Sequence, residues 1–235
     1  MINGYLMEPF IIDGLGGEKV KITPIEDKSV SYILKIENRQ QSIGDYIYQH
    51  ILEELGYFYL KTDLLEFNNK IYGAVEYVKG LRPVDRSNIY DLSYEHQVLY
   101  FQISALYRVF CGMDHTEMFF MGNGDVRFLD FGETCLDTFE FTLNIEILLE
   151  SAIANAIAYF ESEQFNIETV RRALRDLKDR FSKLNVRRCC GELPNPYNYC
   201  EIIENVKNNF MGCDIEKLQI DADLVAKIRE FSKTK

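Results

Sequence analysis

A chain of 235 residues, 47% of them hydrophobic, can bury a sizeable core and suits one domain or two closely joined lobes. Its net charge of -11 argues against nucleic acid as a partner, because phosphate backbones are gripped by basic surfaces. No run of about 18 apolar residues marks a membrane span, and residues 1–10 carry no basic region of the secretory type.

The first part of the chain predicts strands. Residues 9–12, 19–23 and 31–36 form three, the second alternating polar and apolar residues with period two. Gly14, Gly16 and Gly17 lie between the first two, where bare backbone can serve as a hairpin turn or approach a phosphate closely. Lys35 stands in the third strand among Tyr32, Ile33, Leu34 and Ile36. A lysine in such company either points outward from an edge or needs an acidic partner.

A helix is predicted over residues 42–55. Ile43, Ile47, Ile51 and Leu55 recur at four-residue spacing, Ser42 suits the N-cap, and Gly56 suits the C-terminal stop. Asp45 and Glu54 are its candidate partners for Lys35. Two apolar pieces around residues 58–67 follow, then a turn at Asn68 and Asn69 and a strand over 71–78. Residues 82–86 read as a linker.

Beyond the linker the pattern turns helical, over residues 93–111, 143–159, 166–184, 199–209 and 222–232. Residues 187–199, holding Gly191, Pro194 and Pro196, read as a loop. Arg171, Arg172, Arg175, Lys178 and Arg180 read as a solvated face. The six cysteines form no Cys-x-x-Cys pair and none precedes Cys111, so free thiols in a reducing cytoplasm fit better than a disulfide or zinc scaffold.

Between the first two of these helices runs Cys-Gly-Met-Asp-His-Thr-Glu-Met-Phe-Phe-Met-Gly-Asn-Gly-Asp-Val-Arg-Phe-Leu-Asp-Phe-Gly-Glu, residues 111–133. Two short apolar strands, 118–121 and 126–129, flank a Gly-Asn-Gly turn and form a hairpin. Asp114 precedes the first strand and Asp130 follows the second, so the hairpin brings both acids toward one cleft. Asp130 opens Asp-Phe-Gly, the tripeptide in which protein kinases hold the magnesium on ATP.

Taken in order, these pieces resemble the HipA-type bacterial toxin kinases. The helix from Asp45 to Glu54-Leu55-Gly56 is similar to that family's acid-led helix ending in Glu-Leu-Gly, although the family normally has Glu where Asp45 stands. Tyr72-Gly73-Ala74-Val75-Glu76-Tyr77 resembles the segment before its hinge. Gly112-Met113-Asp114-His115 resembles its Gly-x-x-Asp-x-His. The likeness to phosphatidylinositol kinases and aminoglycoside phosphotransferases is more distant, and the similarity covers roughly residues 10–135.

The resemblance implies a two-lobed α+β fold. A β-rich N-lobe with one helix would occupy residues 1–80, and a larger helical C-lobe residues 81–235. It implies a cytoplasmic kinase binding ATP and Mg2+ and acting on a protein substrate or partner, with no direct nucleic-acid or membrane contact. Lys35, paired with Asp45, would hold the phosphates under Gly14, Gly16 and Gly17, and the backbone from Glu76 to Val78 would hold the adenine. Asp114 would be the catalytic base, and Asp130 the metal ligand with help from Glu117. The family's second metal ligand, an Asn four or five residues after the catalytic Asp, is replaced by Met118 and Phe119. Neither supplies an oxygen to a hard cation. Three readings follow: a kinase for Ser or Thr hydroxyls, a catalytically inactive pseudokinase serving as a binding module, and a small-molecule kinase of the antibiotic type.

Overall fold

Polar and apolar residues alternate along residues 19–23, so one side of that strand faces a core. The computed structural model describes residues 4–10, 19–35, 39–67, 70–84, 89, 92–110, 117–121, 125–129, 144–160, 165–191, 193 and 196–233. β1 (Tyr5–Phe10), β2 (Lys19–Pro24) and β3 (Tyr32–Lys35) run antiparallel. β4 (Thr62–Phe67) and β5 (Lys70–Glu76) form a hairpin whose second strand joins β3, giving the order β1-β2-β3-β5-β4. Ile22, Leu34 and Ala74 are buried together in this sheet, with Tyr5, Val20, Tyr32, Leu65 and Tyr72 packed around them.

α1 (Arg39–Glu54) packs against β4 and β5. Its predicted apolar stripe is buried: Ile43, Ile47, Ile51 and Leu55 all lie in the main core. The side chains of residues 42–49 are buried all round the helix, which an amphipathic pattern does not predict. The helix begins at Arg39, so Ser42 is an interior residue rather than the cap, and its hydroxyl accepts the Gly73 N–H at 3.0 Å. At the other end Gly56 takes φ +76°. Its N–H bonds the Glu53 carbonyl and the Tyr57 N–H bonds that of Leu52, which satisfies two terminal carbonyls.

A second sheet holds β6 (Arg82–Pro83), β7 (Glu117–Phe120) and β8 (Val126–Leu129). The first two residues of the predicted linker are therefore strand, paired with Phe120 and Phe119 of β7. α2 (Tyr94–Val109) is capped by Ser93, whose hydroxyl accepts the His96 N–H. Then come α3 (Ile145–Tyr159), α4 (Ile167–Ser182), α5 (Val186–Cys190), α6 (Pro196–Gly212) and α7 (Ala222–Lys233). The predicted loop at 187–199 is largely helical. Val186, Cys189 and Cys190 share one helical face and are all buried, and Pro196 opens α6, where its missing N–H costs no bond.

One apolar core runs from α1 through α2 and the β7–β8 hairpin into α3, α4, α5 and α6. The basic residues of α4 are not a merely solvated face, because several clasp neighbouring elements. Arg171 donates to the carbonyls of Glu216 and Leu218, and Lys178 to those of Met211 and Cys213. Arg180 reaches the Leu55 carbonyl at the end of α1 at 3.2 Å and stacks on Tyr57. Helix ends leave carbonyls without intrahelical donors, and these cations supply them. Among the described residues no helix is long and apolar enough to cross a membrane.

Candidate functional site

The hairpin register sets the geometry. Glu117 pairs with Leu129, Met118 with Phe128, Phe119 with Arg127 and Phe120 with Val126. The outer ends of the two strands therefore lie side by side. Asp114 comes three residues before Glu117 and Asp130 directly after Leu129. Both acids lie outside the described residues, as do Gly14, Gly16 and Gly17; for Lys35 and Glu117 the strand and its register are described.

Both flanks of the hairpin are anchored. On one, β6 pairs with β7 and the Val84 N–H bonds the Met118 carbonyl at 2.7 Å. On the other, Tyr59 bridges Phe128 in parallel and the Leu60 N–H bonds the Phe128 carbonyl at 3.0 Å. Met118 and Phe128 are 1% and 0% exposed, inside the main core. The position where the resemblance expects a metal-binding Asn thus carries a thioether in an apolar interior, which fits packing and not Mg2+ coordination.

The backbone register sets Lys35 opposite Gly73, in the middle strands of the first sheet. α1 crosses there: a Cβ added to Gly73 would meet Ser42 at ordinary contact distance, 3.8 Å from its Cα. Asp45, three residues on from Ser42, shares its helix face and is buried at 2% exposure. Glu54, the other candidate acid, is committed elsewhere, with its carboxylate 2.9 Å from the Arg188 guanidinium on α5. Asp45 lies within one helical turn of Ser42, the residue that bonds β5 at Gly73.

Where β5 ends, the Glu76 N–H bonds the Lys61 carbonyl at 2.7 Å and the Tyr77 N–H bonds that of Ser31 at 2.8 Å. The Lys21 ammonium lies 5.0 Å from the centre of the Tyr77 ring. Val78 follows, half-buried, and Gly80 at φ +85° turns the chain toward β6. Glu76 and Val78 therefore occupy the crossing between the two sheets. Two polar side chains meet the sheet in ways the sequence did not indicate: Ser42, read there as an N-cap, and Gln49, which it did not single out. Ser42 bonds β5, and Gln49 on the same helix accepts the Thr62 N–H of β4. Their signal was a polar stripe opposite the apolar one, which ordinarily marks a solvent face.

No sequence-defined protein family matches the chain, and no curated protein matches it. Among solved structures it is similar to the crystal structure of a Helicobacter pylori proinflammatory kinase, CtkA. The TM-score is 0.52 and the identity 11%, over 96% of this chain and 97% of the other. The fold is kinase-like, mixed α+β, with a sheet-rich N-terminal part and a helical C-terminal part.

Proposed function

We propose that the chain is an ATP-dependent phosphotransferase of the HipA-like type, acting on a protein Ser or Thr hydroxyl. What carries this reading is the likeness to a kinase along the whole chain, combined with a hairpin whose adjoining ends lead directly to Asp114 and Asp130. The donor set fits the group it would hold. Asp130 and Glu117 offer the carboxylate oxygens a magnesium ion prefers. Lys35, with Asp45 on the adjoining helix, offers a cation for phosphate. Bound Mg-ATP supplies the phosphoryl group for transfer. Asp114 orients the acceptor hydroxyl and takes its proton, and the Glu76 to Val78 backbone holds the adenine.

A second reading is favoured by one observation, the burial of Met118 at the expected position of the second metal ligand. On that reading the protein is a pseudokinase that binds nucleotide or protein without turnover.

The deciding experiment is a thermal shift with ATP, with and without Mg2+, on the wild type and Asp130→Asn. Saturation at a hundred times Kd stabilises a folded protein by about 2.7 kcal/mol, so a clear rise in Tm that needs Mg2+ and disappears in Asp130→Asn is expected. No shift in the wild type at millimolar ATP overturns the reading. Turnover that falls by roughly 10²- to 10⁴-fold in Asp114→Ala separates the enzyme from the pseudokinase, which has no turnover to lose.

A further inference from the structure

Ser42, Asp45 and Gln49 are 0%, 2% and 4% exposed. Their spacing puts all three on one face of α1, turned toward the sheet rather than toward water. The apolar stripe of α1 anchors its other face in the main core, while a polar face gains little from apolar burial. On the sheet side two directional bonds add to that anchor. The Ser42 hydroxyl accepts the Gly73 N–H of β5 at 3.0 Å, and the Gln49 side-chain oxygen accepts the Thr62 N–H of β4. The anchors lie about two helical turns apart, one on each strand of the β4–β5 hairpin, with Asp45 between them. A rotation of α1 by one residue, about 100°, would break both and carry Asp45 away from the strand pair at Lys35 and Gly73.

We propose that Ser42 and Gln49 are positioning residues, which hold α1 in the one register that presents Asp45 to that strand pair and thereby set the affinity for Mg-ATP. This rests on the phosphotransferase reading above, and it assigns to these two side chains the fine alignment of the helix's polar face on the sheet. Neither touches nucleotide on this account; both act through Asp45.

The test is a pair of mutant cycles on the full chain, read by calorimetric titration with Mg-ATP beside a melting curve of each variant. Ser42→Ala and Gln49→Met each weaken Mg-ATP binding by about fivefold when Asp45 is present, and add no further loss in the Asp45→Asn background, as coupled neighbours do. The drop in Tm that each causes is the same in both backgrounds, because the bond to the strand is lost either way. Ser42→Ala, the smaller change, keeps the test open if Gln49→Met does not fold. Wild-type affinity in both variants, or an equal loss with and without Asp45, overturns the positioning role alone, as does an Asp45→Asn that binds like wild type. A wild-type chain that does not bind Mg-ATP overturns the phosphotransferase reading itself, and this inference with it.

Discussion

Cys189 and Cys190 sit side by side on α5 with no exposed surface, and Tyr48 is likewise enclosed on α1. Burial pushes the Cys189 thiol up to about 12 and raises Cys190 and Tyr48 well above their usual values. The charged form of each is what the interior rejects. Below about pH 9 both the folded and the unfolded chain keep these protons, and the neutral groups remain compatible with the core. Between about 9 and 12 the unfolded thiols release protons that the folded ones retain, so stability falls as pH rises through that window. Melting temperatures from about pH 8 to about pH 11 should drop more steeply for the wild type than for a Cys189→Ala, Cys190→Ala double variant. Parallel curves would remove the thiols as the cause.

At the scale of the element, α1 shows what a sequence pattern can and cannot carry. The four-residue apolar spacing and the Gly56 stop are local signals, and both appear in the structure where the pattern puts them. Gly56 tests the stop directly. An added Cβ there would meet only the far end of Arg180, at 4.0 Å, so Gly56→Ala is opposed by backbone strain and not by crowding. We expect a loss of about 1 kcal/mol, read as a lower urea midpoint with an unchanged slope; an unchanged midpoint would mean that the turn relaxes at no cost.

The burial of Ser42 and Gln49 was not legible, because a polar stripe looks the same whether water or strand N–H groups satisfy it. The β7–β8 hairpin was legible from its turn and its two apolar strands. α5 was not, since Gly191 and Pro194 dominate a local reading while buried Val186, Cys189 and Cys190 decide the fold. Of the candidate site, the order of motifs and the hairpin between the two acids could be read from sequence. The ion pair of Glu54 with Arg188 was not legible, because Arg188 lies far along the chain.

For the whole molecule, the core that encloses α1 is assembled mainly from residues beyond the first 80. The Tyr48 hydroxyl donates to Ile103, the Leu55 carbonyl is met by Arg180 from 125 positions away, and Glu54 is paired with Arg188. Among the described residues the sheet's own cluster has three buried members, Ile22, Leu34 and Ala74. Contacts of such long sequence separation are slow to close and cannot close until both partners exist. On a ribosome, which releases the chain from its N-terminus, the first sheet and α1 emerge before the helices that cover them. A fragment ending at residue 80 should therefore show little helical circular dichroism and no cooperative melt, and a cooperative transition in it would contradict this. The N-terminal part of this protein is made first and finished last.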